Sequence, residues 1–369
     1  MRTKSIGQKL SLATAATTLL TLGTVGSATA VSLYSITDVG SFSASDINDQ
    51  GQIVGSHYLW NNGTLVDLGT LPGATSTQAN AINNLGQVVG TSGDRLFVWE
   101  NNTLTDLGQP SSCHPCLNLS AADINDNGQI IGNYRGIRGI NYTPSSVYSA
   151  GFLRNKDGTT IEVSFLATID VKAINNKGQV AATVVGHWGG SPWLWDTKNN
   201  TRTSRSFPIF LSSSVSDLND QGQVVGTSLS IISSPLFNRL LNTAYLWDNS
   251  GFFNLGTLGG SRSSGNGINN SSQVVGDSET ITGANHAFLW ENGTLFDLNT
   301  LIAPDSGWEL LGASKINNKG QIIGTGTFQG QQRSFLLTPV SESVPEPTSV
   351  WGLLMFAVFS IGFRSWKLS

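Results

Sequence analysis

The chain has 369 residues, a net charge of −4 and only 12% charged residues. It is too long for one ordinary core and suits two domains or one repetitive fold. No Lys/Arg run or basic patch is present, which argues against nucleic acid as a partner. Val, Ile, Thr and aromatics stand between Gly/Asn turns, and amphipathic Glu/Lys/Ala stretches are missing. That pattern predicts an all-β protein.

Residues 1–30 read as a secretory signal peptide. Arg2, Lys4 and Lys9 open it, an apolar run of small residues follows, and Ala28 and Ala30 form the small pair before the cut. An uncleaved anchor helix is the other reading, and the Gly and Thr content would make it a weak one.

Downstream of residue 30 lie seven repeats, aligned on Asn48, Asn83, Asn125, Asn175, Asn219, Asn269 and Asn317 and spaced 35 to 50 residues apart. Each opens with a phrase such as "DINDQGQIVG". A "YLWNNG" or "FLWENG" phrase follows in most, then a "TLTDLG" phrase. A unit therefore holds four short strands. Its opening phrase is a hairpin: Asn83-Asn84-Leu85-Gly86 fits a type I turn closed by a left-handed Gly. Unit 6 departs, with Ser272 where Gly is expected. A non-Gly residue there costs about 1 to 2 kcal/mol, so another turn is expected.

Seven such units predict a seven-bladed β-propeller of four-stranded antiparallel blades spanning 31–340, with a solenoid as the rival. The seventh unit lacks its last strand before residue 340, while "LYSITDVG" at 33–40 matches it. In a ring the N-terminal strand completes the last blade and covers two edges.

The repeat phrases "INDxGQIVG" and "AFLWENGTLxDLGTLGG" resemble the HAF-type extracellular repeats of bacteria, over most of residues 34–340. The resemblance implies an exported repeat protein and brings no catalytic residues to transfer.

Antiparallel order places the loops between strands 2 and 3, and between successive units, on one face. The long insertions fall there: 133–149, 227–243, 277–286, 110–120 and 302–310. Loops on a rigid scaffold are the usual place for binding. The ligand candidates are Tyr134, Arg135, Arg138, Tyr142 and Tyr148 in the first insertion, with Trp188 and Trp308 near the same face. Rings beside guanidinium donors suit sugars. The same aromatics would also serve to cover the blade beneath. Trp60, Trp99, Trp195, Trp247 and Trp290 recur at one place in the unit and read as packing residues.

Cys113 and Cys116, the two cysteines, read as a small structural disulfide rather than a redox pair. Asp123, Asn125, Asn127 and Gly128 start like a calcium loop, but Tyr134 stands where the closing acid belongs, so no metal is expected. No cofactor is expected either. His57, His114, His187 and His286 share no spacing, and no G-x-S-x-G or H-E-x-x-H is present. Asp67, Asp106 and Asp297 recur at one repeat position and read as structural. A pair of carboxylates across the channel would still make a hydrolase or lyase site.

At the C-terminus, 341–349 is a linker carrying Pro345, Glu346 and Pro347. An apolar run at 350–363 follows, then a basic tail at 364–369 with Arg364. Fourteen helical residues span about 21 Å, short of a full hydrocarbon core. The trio resembles the PEP-CTERM sorting signal of Gram-negative bacteria and cyanobacteria. The resemblance implies transient membrane anchoring, processing by an exosortase, and delivery to the cell surface or extracellular matrix. A plain single-span anchor is the alternative.

The sequence thus predicts a non-enzymatic binding or structural protein whose partner is an extracellular polysaccharide or a surface protein. The alternatives are a polysaccharide-acting hydrolase or lyase with its site in the channel, and a protein-binding platform.

Overall fold

The computed structural model describes residues 33–111, 116–137, 147–163, 168–186, 189–204, 210–234 and 237–340. The predicted signal peptide, the sorting tail, Cys113, Arg138, Tyr142 and Trp188 lie outside them. No helix among the described residues is long and apolar enough to cross a membrane.

The described chain is all-β apart from a 3-10 turn at Leu298–Thr300. Strands pair antiparallel in chain order into four-stranded sheets, one per repeat unit. Units 5 and 6 are joined into one larger sheet by a single parallel bridge, Asn242 to Arg262. In unit 2 the strands are Thr77–Ile82, Val88–Ser92, Arg95–Glu100 and Thr103–Gly108. In unit 7 they are Trp308–Ile316, Ile322–Phe328 and Gln331–Pro339, and the fourth place is taken by Tyr34–Gly40. Tyr34 pairs with Pro339 and Asp38 with Phe335, so the N-terminal strand covers the edge that unit 7 would leave bare.

The apolar residues gather in seven clusters, and each spans two neighbouring units. Val54 and Leu59 of unit 1 pack with Val88, Phe97 and Trp99 of unit 2. Ile323 and Leu336 of unit 7 pack with Ile47, Ile53 and Trp60 of unit 1. The third-strand aromatics Phe97, Phe152, Tyr245, Phe288 and Phe335 are fully buried. Trp60, Trp99, Trp195 and Trp247 are buried and Trp290 packs half-buried, so the recurring tryptophans are core. No unit encloses a core alone; burial comes from stacking.

The Gly that ends each "IVG" or "VVG" phrase permits a close backbone approach. A Cβ on Gly90 would stand 1.9 Å from the Gln78 carbonyl oxygen, and one on Gly226 1.9 Å from that of Ser214. Beside this approach the first strand carries a bulge. In unit 2 the register slips between Ala79 and Ala81, in unit 3 between Ala121 and Asp123, and in unit 7 between Ala313 and Lys315. A bulge re-aims the residue that follows it.

The opening hairpins have the expected form. Gly86 has φ +77° and its N–H donates to the Asn83 carbonyl at 3.1 Å. Unit 6 corrects the expectation of a different turn: Ser272 adopts φ +62° and donates its N–H to Asn269 O at 3.1 Å. Its hydroxyl donates to Gln223 Oε1 of unit 5 at 2.7 Å, a contact that Gly would not make and that offsets strain.

The long insertions are also corrected. They are mostly extended hairpins rather than irregular loops. Ile130–Ile137 pairs with Val147–Arg154 up to Ile137–Val147, and Val224–Ser234 pairs with Phe237–Asp248 up to Ser234–Phe237.

Candidate functional site

Every aligned Asn is buried and performs one task seven times. In unit 3, Asn125 Oδ1 accepts the N–H groups of Asn127 and Gln129, at 3.1 and 3.0 Å. Its Nδ2 donates to Gln129 Oε1 at 2.9 Å and to the Asn175 carbonyl of unit 4 at 3.0 Å. The same inter-unit bond runs from Asn48 to Asn83, Asn83 to Asn125, Asn175 to Asn219, Asn219 to Asn269 and Asn269 to Asn317. Asn317 then donates to the Asn48 carbonyl at 2.9 Å.

The residue after each Asn makes a second circuit. Asp49 N–H donates to Asn84 Oδ1, Asn84 N–H to Asp126 Oδ1, and Asp126 N–H to Asn176 Oδ1, each at 2.8 Å. Asp220, Asn270 and Asn318 continue it back to Asp49. Acid and amide alternate through units 1 to 6 for a physical reason. An ionised carboxylate only accepts, and a neighbouring Asn supplies donors: Asp126 Oδ2 accepts from both Asn84 and Asn176 side chains. Seven positions cannot alternate completely, and the break falls at the amide pair Asn270 and Asn318.

Two residues before each Asn, where the bulge re-aims the chain, stand Asp46, Ala81, Asp123, Ala173, Asp217, Gly267 and Lys315. Asp46, Asp123, Asp217 and Lys315 of this set line a cavity of about 150 Å³ to which all seven units contribute. Each Asp clamps two units. Asp123 Oδ1 accepts its neighbour's Ile124 N–H at 2.8 Å, and Oδ2 accepts the Ile174 N–H of unit 4 at 2.8 Å. Asp46 does the same for Ile47 and Ile82. Asp217 Oδ2 accepts the Ile268 N–H at 3.0 Å. Lys315 reaches past unit 6 to Asp217 Oδ1 at 2.8 Å. Gly267 makes room for that reach, since a Cβ there would lie 2.9 Å from the Lys315 Cα.

Burial pushes the Asp46 carboxyl up to about 6, against the pull of Lys315 and two backbone donors. Burial pushes Asp123 up to about 7, with Lys315 opposing and Asp46 assisting. Burial acts downward on Lys315, but Asp217, Asp46 and Asp123 outweigh it and hold the ammonium above its ordinary value. The cavity thus holds one ion pair and two carboxyls that exchange protons near neutrality. Sequence reading passed over this set. Its signal is the alternation of D-I-N-D or D-L-N-D in units 1, 3 and 5 with A- or G-I-N-N in units 2, 4 and 6.

The structure separates the candidates named from sequence. Tyr134 is a correction: it is 1% exposed, packs against Phe152, and its hydroxyl donates to Glu162 Oε2 at 2.8 Å. It lies on a second strand whose inward face it fills, so it cannot meet a ligand. Tyr134→Phe should cost about 1 kcal/mol in chemical denaturation, and Tyr134→Ala about 3 to 5. Arg135, next along that strand, is exposed. Tyr148 lies on the partner strand, at 147–154. Trp308 is half-buried, stacked on Phe328 with ring centroids 5.0 Å apart and set edge-on to Phe335. Cys116 is buried and is not a free thiol.

Asp67, Asp106 and Asp297 each cap the turn after the fourth strand; Asp106 Oδ1 accepts the Gly108 N–H at 2.8 Å. Asp106 also pairs with Arg95, Asp297 with His286 at 2.7 Å, and Asp38 of the N-terminal strand with Arg333 at 2.8 Å. Asp123 serves as an inter-unit clamp rather than a calcium ligand, and no group of three potential ligands that could hold a metal occurs among the described residues.

No family model matches the chain. No curated protein sequence matches it either. Solved structures do match. The β-propeller domain of the Trilobed protease from Pyrococcus furiosus aligns with a TM-score of 0.53 and 8% identity, covering 84% of this chain and 98% of that one. An oligogalacturonate lyase from Vibrio parahaemolyticus gives 0.53 and 10%, covering 84% and 92%. YCF48 bound to D1 peptide gives 0.52 and 12%, covering 85% and 97%. The fold is a β-propeller. At these identities the likeness extends to fold alone.

Proposed function

We propose that this propeller has seven blades, is closed by the N-terminal strand completing the last one, and works as an exported, non-enzymatic binding or structural module. The observation that carries this reading is the commitment of the channel's polar groups. Asp46 and Asp123 each bind backbone N–H groups of two units, Asp217 binds one of unit 6 and the Lys315 ammonium, and both turn circuits join unit to unit. Such groups build a rigid ring, and rigidity without a reactive centre suits display of a surface.

The secretory signal, the Pro345-Glu346-Pro347 motif and the short apolar run place the protein, in this reading, on the surface or in the extracellular matrix of a Gram-negative or cyanobacterial cell. An exosortase processes it, and a matrix polysaccharide is its partner. Co-sedimentation of the full chain with the producing cell's own exopolysaccharide tests this. Saturable binding that free sugar competes away is expected; absence of binding by the folded protein overturns the polysaccharide reading.

The second reading is a polysaccharide-acting lyase or hydrolase in the channel. It is favoured by two carboxyls titrating near neutrality beside a fixed lysine, a set competent for proton transfer. The cavity of about 150 Å³ argues against it, being smaller than the ~300 Å³ at which ligand sites ordinarily begin. Product release from matrix sugar, abolished by Asp123→Asn, would favour the enzyme.

A further inference from the structure

A second cavity, of about 370 Å³, opens between units 1 and 2 on the face that carries the short turns. Leu59, Val66, Leu85 and Trp99 give it apolar walls, and Gln50, Gln52, Asn61, Asn101 and Asn102 bring amides to it. No charged residue lines it. We propose that this cleft binds a neutral, polyhydroxylated sugar unit, with ring C–H faces against Leu85 and Val66 and hydroxyls on the amides. The proposal rests on the matrix-binding reading and names the site and ligand class within it.

Three features of this junction bear on the ligand. The first concerns Gln52. In every unit the corresponding Gln side chain accepts from the aligned Asn through Oε1. In units 2 and 6 its amide N–H is then consumed by a glutamate at the end of the third strand, Gln87 donating to Glu100 at 2.7 Å and Gln273 to Glu291 at 2.9 Å, and in unit 3 by Asn155, to which Gln129 donates at 3.0 Å. Unit 1 has Asn61 at that position, which is exposed, and no bond joins it to Gln52. No buried side-chain nitrogen or oxygen among the described residues lacks a partner, so the unspent amide of Gln52 opens toward solvent in the cleft.

The second concerns the turn at Asn101 and Asn102. Both have positive φ, +48° and +59°. The same turn in units 1 and 6 is Asn62-Gly63 and Asn292-Gly293, where the second residue is Gly at +88° and +82°. Unit 2 therefore holds a side chain where its sisters use Gly, at a cost in backbone strain. Strain retained at a cleft rim points to use of the amide it keeps there.

The third is that the cleft is left open. Lys156 lies over the turn glycine of unit 3, and Thr197 and Lys198 over that of unit 4. Over Gly86, as over Gly51 and Gly222, the nearest atom to an added Cβ is the preceding unit's Gln Oε1, here Gln52 at 3.5 Å. An uncharged rim of amides around an apolar wall matches alternating hydroxyls and C–H faces, and it offers no counter-charge to a uronate.

Isothermal titration calorimetry of the full chain with gluco-, manno- and xylo-oligosaccharides tests the site, with an oligogalacturonate as the charged control. At least one neutral ligand is expected to bind, and the control is not. Two variants copy sister units and so keep the fold. Asn102→Gly restores the Asn-Gly turn and should weaken binding about fivefold, the loss of one hydrogen bond. Asn61→Glu rebuilds the Gln–Glu bond and should weaken it about tenfold or more, by consuming a donor and adding charge. Thermal midpoints should stay level or rise. Matrix binding without any neutral oligosaccharide binding overturns the cleft and leaves the matrix reading in place. Binding unchanged in both variants does the same. Failure of the wild-type chain to bind either matrix or oligosaccharide overturns both.

Discussion

Asn125→Ala should lower the free energy of unfolding by about 3 to 5 kcal/mol. The side chain is 3% exposed and takes part in four hydrogen bonds, three inside its own turn and one to the Asn175 carbonyl. Alanine leaves the Asn127 and Gln129 N–H groups without their acceptor and strips a buried carbonyl of unit 4 of its donor. Guanidinium denaturation followed by tryptophan fluorescence measures the change. Asn125→Asp keeps the acceptors, loses the donor and sets a charge against the Asn175 carbonyl, so it should cost at least as much at neutral pH. Asn127→Ala is the contrasting case. That residue is exposed and donates one bond to Asn176 O, so its loss should cost about 1 kcal/mol or less. Equal small effects for Asn125 and Asn127 would show that the ring of amides is ornament and that the apolar clusters alone hold the units.

Much of this scaffold was legible because its determinants are local. Asn83 to Gly86 announces a turn through residue chemistry four positions long, and the turn occurs with those bonds. The match of "LYSITDVG" to the fourth-strand phrase also foresaw the pairing of Tyr34–Gly40 with Gln331–Pro339. Ser272 was misread because its compensation is not local: the hydroxyl finds Gln223, 49 residues earlier in the chain. Tyr134 was misread because an extended hairpin of irregular composition looks like a loop in sequence. Pairing as far as Ile137–Val147 turns that residue onto the buried face. The channel set was missed for a related reason. Asp46, Asp123, Asp217 and Lys315 were visible, yet the direction of a side chain after a bulge depends on the backbone approach at Gly132 or Gly324, which spacing alone does not encode. The cleft between units 1 and 2 was less legible still, since its lining comes from two units and includes Asn61 and Asn102, single residues that the repeat alignment does not mark.

The channel gives the sharpest test of the electrostatics. Asp46 and Asp123 have folded values of about 6 and about 7 against an ordinary 3.8. Between pH ~4 and ~7 the folded protein therefore binds more protons than the unfolded chain, and stability falls as pH rises through that window. The wild-type protein should unfold at a higher temperature near pH 5 than at pH 8. Lys315→Met keeps most of the side-chain volume beside Gly267 and removes the only cation among the described residues that line the cavity. Asp217, buried at 7% exposure, then sits without its partner, and the pull that restrains Asp46 and Asp123 is gone. The variant should lose about 3 to 5 kcal/mol at pH 8. Much of that loss should return near pH 5, because protonated carboxyls need no counter-charge. Adding Asp217→Asn should restore part of the loss at pH 8, by removing the charge that Lys315 answers. Thermal melts of the three proteins across pH 5 to 8 decide the matter. A flat wild-type profile, or a Lys315→Met penalty independent of pH, would mean that channel water screens these groups and that the three carboxylates act only as acceptors for the backbone of neighbouring units.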